Sequence, residues 1–355
     1  MKLNKLFAGV LAAAMMMSVG VSAMAAETWS GSESWAGKVD TAPTLPKKYI
    51  VTEGSAPAET FTFKFEGVSY KNGDGTTVAN ASIPAISNVT VAYDTATEKN
   101  ADGLAKSATI DIDANDYELG VYTYKVTEVI PTEKTAGVTY SEEELYLVLT
   151  ILRDEDSDKH YVAAMHYESA TGTNKAQGFT NTYNAGSLKV SKQVTGAMAT
   201  MSKKFNFTIT FNAPATGEVV KSVITATPSN SNAKASTADN AAAAATTIEF
   251  ATGATSATYT IALGNDENVI FTNLPVGVTY TVTEDAENYT STENTDNTTT
   301  KVITASVENK FGFTNTLGAG NVDTGVILDN APYILMLAVV AGGVFFMVAK
   351  KRREE

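Results

Sequence analysis

The sequence predicts an all-β protein made of two tandem β-sandwich domains. Large apolar side chains alternate with polar ones in several short segments, for example at Phe61, Phe63 and Phe65, which is the period of a strand with one buried face. Turn clusters rich in glycine, asparagine and aspartate, such as 72–75 and 264–266, bound these segments and favour antiparallel pairing. The chain of 355 residues has no cysteine, so disulfides cannot restrain its domains.

Internal repetition indicates two copies of one domain. The segment 124–128 recurs as 280–284, and the segment 179–182 recurs as 313–316. Repetition of this kind is typical of duplicated structural units. We therefore place the first domain at 40–184 and the second at 185–320. The stretch 229–247, rich in Ser, Asn, Ala and Thr, is predicted to be a long surface loop.

The amino-terminal end carries the features of a secretory signal peptide. Lys2 and Lys5 precede an apolar stretch, and the small residues Ala23 and Ala25 suit a signal peptidase, so we expect cleavage after Ala25. Residues 26–39 form a polar lead that contains both tryptophans. The net charge of −13 argues against nucleic acid as a partner of the exported chain.

The carboxyl-terminal end carries a candidate membrane anchor. Residues 332–349 contain no charged side chain and are just long enough to cross a bilayer as a helix. The basic cluster 350–353 follows and is of the kind that stays on the cytoplasmic side. By themselves these features predict a tail anchor.

Six polar residues lie where the strand pattern predicts a buried face. Side chains two apart on a strand share a face, and by this rule each half of the chain directs a Lys, a Glu and an Asn towards its core. They are Lys47, Glu128 and Asn181 in the first half, and Lys192, Glu284 and Asn315 in the second. Lys48 adjoins Lys47, but parity with Leu45 and Val51 favours Lys47.

Three interpretations of these matched triples are open. The side chains could lie at strand ends and return to water, or each Lys and Glu could form a buried ion pair beside a hydrogen-bonded Asn. The third is covalent. Burial lowers the pKa of a lysine and favours its nucleophilic form, while a protonated Glu can polarise the Asn carbonyl. The product is a Lys–Asn isopeptide bond, formed with loss of ammonia.

The end of the chain resembles the sorting signal of Gram-positive surface proteins, which are substrates of a sortase. This resemblance rests on residues 321–325 (Asn-Val-Asp-Thr-Gly), the apolar run and the basic tail. It implies transpeptidation between Thr324 and Gly325, so that the membrane helix holds only the precursor. Asn321 and Val322 replace the usual Leu and Pro, and a Val-x-Thr-Gly variant found in pilins is more similar.

Both halves resemble the isopeptide-containing, immunoglobulin-like domains of Gram-positive major pilins. The resemblance covers nearly the whole exported chain and rests on the segments 60–64, 120–128, 179–182, 188–192, 272–278 and 313–316. It implies the bonds Lys47–Asn181 and Lys192–Asn315, promoted by Glu128 and Glu284. It also implies an acceptor lysine shortly before the Phe-x-Asn strand. Lys175 occupies that place, and Lys38 is a second candidate.

The resulting prediction is a backbone subunit of a sortase-assembled surface pilus, used in adhesion. Its partners would be the pilus sortase, neighbouring copies joined from Thr324 to Lys175, minor pilins and cell-wall peptidoglycan. We expect no cofactor, no metal site and no enzymatic activity beyond self-cross-linking. The alternatives are a monomeric wall-anchored adhesin, a minor tip or base pilin, and a tail-anchored enzyme or receptor.

Overall fold

The structure, a computed structural model, describes residues 34–36, 42–94, 97–154, 157–170, 175–229, 244–305 and 308–318. The predicted signal peptide, the membrane segment 332–349, the sortase motif with Thr324 and Gly325, and Lys38 lie outside the described residues, as does most of the loop predicted at 229–247. No helix within the described ranges is long and apolar enough to cross a membrane.

Within the described residues, the first domain has ten strands and one short 3-10 helix at Ala114–Asp116. Its six-stranded sheet has the order β1-β9-β8-β6-β3-β4, and its four-stranded sheet has the order β5-β2-β10-β7. The strands are β1 (Ser34–Ala36), β2 (Thr44–Ala56), β3 (Glu59–Asn72), β4 (Val89–Tyr93), β5 (Thr97–Thr109), β6 (Gly120–Val129), β7 (Val138–Thr139), β8 (Glu144–Arg153), β9 (His160–Ser169) and β10 (Phe179–Tyr183).

The described part of the second domain has nine strands. One sheet has the order β14-β13-β16-β11-β19-β18, and the other has the order β15-β12-β17. The strands are β11 (Ala185–Thr195), β12 (Phe205–Asn212), β13 (Ile224–Pro228), β14 (Thr246–Ile248), β15 (Ser256–Leu263), β16 (Asn268–Pro275), β17 (Thr279–Glu284), β18 (Thr290–Glu293) and β19 (Glu308–Thr316). A single residue, Asn184, separates β10 from β11, and the prediction of an all-β chain with two domains is confirmed.

Each domain has its own apolar core between its two sheets. Alternation along the strands builds both cores: Phe61 and Phe63 of β3 are buried in the first, and Phe205 and Phe207 of β12 in the second. The intervening residues of these strands are mostly exposed. This is the pattern from which the strands were predicted.

The pairing of the first and last long strands of each domain differs from the predicted antiparallel sheets. β2 pairs with β10 in parallel, and β11 pairs with β19 in parallel. All other strand pairings are antiparallel among the described strands. Parallel neighbours need a long crossover, and here the rest of the domain supplies it. The two ends of each domain therefore lie side by side in one sheet.

Part of the polar lead is a strand. β1 pairs with β9 at the edge of the six-stranded sheet, with Trp35 opposite Met165. We predicted no strand here because a segment of three residues is too short to show alternation.

Candidate functional site

The fold brings Lys47, Glu128 and Asn181 together in the core of the first domain. Lys47 lies on β2 and Asn181 on the parallel neighbour β10, while Glu128 lies on β6 in the opposite sheet. Phe179 is the register partner of Lys47, so Asn181 stands two residues further along. Gly178 permits this approach of the two strands, since a Cβ atom there would lie 2.3 Å from the Pro46 carbonyl oxygen.

The three side chains form a hydrogen-bonded chain that is closed off from solvent. The Lys47 Nζ donates to Asn181 Oδ1 at 2.7 Å, and the Asn181 Nδ2 donates to Glu128 Oε1 at 2.6 Å. Lys47 is fully buried, Asn181 is 1% exposed and Glu128 is 7% exposed. The lysine nitrogen thus contacts the oxygen that is bonded to Cγ, the amide carbon that it would attack.

Burial shifts both ionisable groups towards their neutral forms. The pKa of Lys47 is lowered to about 7, mainly because burial removes water from its ammonium group, an effect that the charge of Glu128 opposes. The pKa of Glu128 is raised, again mainly by burial, against hydrogen bonding from Asn181 and the charge of Lys47. A neutral amine beside a neutral carboxylic acid is the state required for acid-assisted attack.

The structure places Lys47, and not Lys48, in this site. Lys48 is the next residue on β2, so its side chain points to the other face. Its contribution is its carbonyl oxygen, which accepts a hydrogen bond from Lys47 Nζ at 2.9 Å. The parity argument for Lys47 therefore agrees with the observed geometry.

The second domain repeats the arrangement in the same register. Lys192 on β11 faces Phe313 of β19, and Asn315 again stands two residues further along the parallel neighbour. Glu284 approaches from β17 in the opposite sheet. Its side chain is 1% exposed, and Lys192 and Asn315 are fully buried.

In the second domain a single carboxylate oxygen contacts both nitrogens. Glu284 Oε1 lies 2.8 Å from Lys192 Nζ and accepts a hydrogen bond from Asn315 Nδ2 at 3.1 Å. The other oxygen, Oε2, accepts a hydrogen bond from Ser291. The pKa of Lys192 is lowered by burial, and Glu284 opposes this shift. Oε1 therefore bridges the two atoms that would exchange a proton.

The contacts refine the role that we predicted for the glutamates. We expected each acid to polarise the Asn carbonyl oxygen. In both domains the carboxyl group instead contacts Nδ2, the nitrogen that would leave as ammonia. This position suits a proton shuttle between the attacking and the leaving nitrogen.

Each site also contains an aromatic ring that we had not assigned to it. The Lys47 Nζ lies 4.3 Å from the centroid of Phe61, and the Lys192 Nζ lies 4.7 Å from that of Phe205. The rings shield the lysine nitrogens from water and stabilise their positive charge. Alternation had placed both rings in the core, but only strand register shows that they lie at the lysines.

Lys175 stands apart from the buried groups. It is exposed, and its backbone forms an isolated antiparallel bridge to Glu168 at the end of β9. An exposed lysine keeps its amine accessible to a large partner. In the described part of the chain, His, Asp and Glu side chains form no group of three that could hold a metal ion.

Comparison with known proteins identifies relatives for both domains. Residues 44–184 match the family described as the Spy0128-like isopeptide containing domain, and residues 186–317 match a domain of unknown function (DUF7601). A pilin of Streptococcus pyogenes serotype M1 is 29% identical over 312 residues, which cover 83% of this chain and 86% of the relative.

Solved structures show the same fold. The major pilin of Streptococcus pyogenes aligns with a TM-score of 0.51 and 22% identity, covering 79% of this chain and all of that chain. The major pilin protein T3.2 of the same species aligns with a TM-score of 0.52 and 20% identity, covering 81% of this chain and all of that chain. Residues 44–184 therefore match an isopeptide-domain family, and the fold of the chain is similar to that of the solved major pilins.

Proposed function

We propose that this chain is a Gram-positive major pilin, the backbone subunit of a surface pilus, and that each of its domains forms its own Lys–Asn isopeptide bond. The first part is supported by the isopeptide-domain family of residues 44–184 and by the pilin relative along most of the chain. The second is supported by one observation. In both domains a buried Asn stands two residues beyond the register partner of a buried Lys, and a buried Glu lies against the Asn.

The reaction conserves atoms and needs no co-reactant. The neutral Lys47 Nζ attacks the Asn181 Cγ, a C–N bond forms, and the bond from Cγ to Nδ2 breaks. The protonated Glu128 gives its proton to Nδ2, which leaves as ammonia, and takes a proton from the attacking nitrogen, so that the acid is regenerated. The pair then becomes a neutral amide, which removes the cost of a buried amine with a displaced pKa. Lys192, Glu284 and Asn315 act in the same way.

The position of the bonds suits a subunit that carries load. Each would join the first and last long strands of its domain, and Asn184 alone separates the two domains. Tension applied at the two ends of a domain would pass through the cross-link between adjacent strands. The strands between them would remain folded.

Intact mass spectrometry of the purified exported chain tests the chemistry. The measured mass should be lower than the mass calculated from the sequence by two ammonia molecules, one lost from each domain. Proteolysis should yield one linked peptide pair containing residues 47 and 181, and a second containing residues 192 and 315. A mass equal to the plain sum of residues would refute the proposal.

The buried amine also leads to a pH-dependent prediction for Glu128→Gln. Glutamine cannot shuttle protons, so Lys47 should stay a free buried amine, and its pKa should stay low because burial lowers it to about 7 from 10.5. Between these values the unfolded chain binds a proton at Lys47 that the folded chain does not. The free energy of unfolding should therefore rise with pH, by about 1 kcal/mol per unit.

Urea unfolding of the first domain at pH 7 and pH 9 measures this slope. The reference is the double variant that carries Lys47→Met as well as Glu128→Gln, since the two proteins then differ in no titratable group except Lys47. Equal slopes in the two proteins would contradict a buried, neutral Lys47 in the variant.

The subunits would be joined by a second amide, made by a sortase. Thr324, carried by the sortase as an acyl group, would be transferred to the Lys175 amine of the next subunit. The exposure of Lys175 supports this assignment, and Thr324 lies outside the described residues. The pilus sortase, minor pilins and peptidoglycan of the cell wall are the partners that this assembly requires, and the precursor would be held in the membrane until cleavage.

A further inference from the structure

A buried carboxyl group that the cross-linking reaction does not use lies where the two domains meet. Glu59, at the start of β3, is 7% exposed. Its Oε2 accepts a hydrogen bond from Thr135 Oγ1 at 2.9 Å, and its Oε1 accepts one from the Tyr140 hydroxyl at 3.0 Å. Lys221 of the second domain places its Nζ 3.4 Å from Oε2. A buried carboxylate is costly unless partners compensate its charge, and here both domains supply them.

The segment that holds Glu59 is itself attached to the second domain. The Val219 N–H donates to the Lys134 carbonyl at 2.8 Å, and the Val219 carbonyl accepts from the Ala136 N–H at 2.9 Å. Ala136 is fully buried within the core cluster of the second domain. The position of residues 134–136 therefore depends on contacts with the second domain.

The same segment reaches the reactive acid. Tyr140 holds Glu59, and its ring packs edge-on against Phe61, the ring beneath Lys47, at 6.0 Å between centroids. The backbone N–H of the next residue, Ser141, lowers the pKa of the Glu128 carboxyl against the effect of burial. The Thr135 N–H donates to the Tyr140 hydroxyl at 3.1 Å, which closes the segment around Glu59. Residues 135–141, which we call the acid-holding segment, thus connect the domain junction to Glu128.

The described residues of the second domain contain no counterpart of this arrangement. Phe205 takes the place of Phe61 beneath its lysine. Two residues before Phe205 stands Lys203, where the first domain has Glu59, and Lys203 forms an ion pair with Glu287. Glu284 accepts its additional hydrogen bond from Ser291 within its own domain. The second site is therefore complete without the first domain.

We propose that Glu59 is a positioning residue for cross-linking of the first domain, and that Lys221 and Val219 of the second domain complete its arrangement. Glu59 acts through the acid-holding segment, which places Glu128 against Asn181. This inference rests on the cross-linking function proposed above. It adds an order of events: the first domain cross-links efficiently only after the second has folded against it, whereas the second cross-links independently.

Three variants of the full exported chain test this coupling by mass spectrometry of each domain at short times after synthesis. Glu59→Ala and Lys221→Met should slow loss of ammonia from the first domain by roughly tenfold, since misplacing a reacting group by an ångström costs up to about 100-fold. Glu59→Gln, which keeps the shape and the acceptor oxygen, should restore most of the rate. The second domain should react at the wild-type rate in all three.

Two controls separate positioning from general damage. Lys301→Met removes a lysine of similar exposure, 44% against 43% for Lys221, whose ion pair is with Glu293 of its own domain. Ile151→Val removes one buried methyl group from β8 of the first domain, where Ile151 pairs with Gly120, eight residues before Glu128 on β6. In both variants the first domain should form its cross-link at the wild-type rate.

The outcomes distinguish this inference from the function on which it rests. Normal reaction of the first domain in Glu59→Ala or in Lys221→Met would overturn the coupling, as would equal slowing in Ile151→Val. A Glu59→Gln variant as slow as Glu59→Ala would overturn a positioning role, because charge alone would then matter. If neither domain of the wild-type protein loses ammonia, the cross-linking function itself fails.

Discussion

Glu128→Gln is expected to leave the first domain without its cross-link while the second domain still forms one. The intact mass should then fall short of the residue sum by one ammonia molecule. The reason is that Glu128 Oε1 is the group in contact with the Asn181 Nδ2, so no other acid is placed to return a proton to the leaving nitrogen. Glu284→Gln should give the converse result.

The first domain of Glu128→Gln should also be much less stable, because it lacks the cross-link. Lys47 and Asn181 are 134 residues apart, and a cross-link that closes a loop of this length stabilises a folded chain by about 5 kcal/mol in the chain-entropy model. For a domain of this size, that corresponds to a fall in melting temperature of roughly 15 °C. Calorimetry should show the transition of the first domain shifted and that of the second nearly unchanged.

Lys48→Ala is the matched control for the lysine of this site. Lys48 neighbours Lys47 on β2, but it contributes its carbonyl oxygen rather than its amine to the site. The variant should keep both cross-links and nearly the wild-type melting temperature, whereas Lys47→Ala should lose the first bond. A Glu128→Gln protein that still lacks two ammonia molecules would contradict the assigned role of the acid.

Parity along single strands was enough to predict that Lys47, Glu128 and Asn181 are buried. Glu128 follows the buried Tyr122, Tyr124 and Val126 at intervals of two, and the structure shows this alternation without interruption. A β-strand has a period of two wherever it lies, so this prediction needs no knowledge of its neighbours. The all-β class follows from the same local pattern, and the two domains follow from the internal repeats.

Relations between strands could not be predicted in this way. The parallel pairing of β2 with β10, the two-residue offset from Lys47 to Asn181, and the ring of Phe61 beneath the lysine all depend on which strands become neighbours. Long-range contacts of this kind leave no local period in the sequence. Glu59 is an example: it shares the parity of Phe61 and Phe63, but its contact with Lys221 of the other domain could not be predicted from its own strand.

Lys175→Ala is expected to convert a ladder of high-mass polymers into monomer. In the proposed assembly each subunit offers one acceptor amine to the Thr324 acyl group of its neighbour. Removing that amine stops growth after a single subunit. Electrophoresis of wall extracts under denaturing conditions measures the result directly, because amide-linked polymers do not separate in detergent.

Lys175→Arg distinguishes the amine from its charge. Arginine retains a positive, exposed side chain, but its guanidinium group stays protonated and is not a nucleophile at neutral pH. The Lys175→Arg protein should therefore form no ladder of polymers, as is expected for Lys175→Ala. Lys159→Ala, which removes another exposed lysine of the first domain, should leave the ladder intact. Both Lys175 variants should still lose two ammonia molecules, since Lys175 lies apart from the buried sites.

A ladder that persists in Lys175→Ala would assign the acceptor to another lysine, and Lys38→Ala is the variant that tests the second candidate.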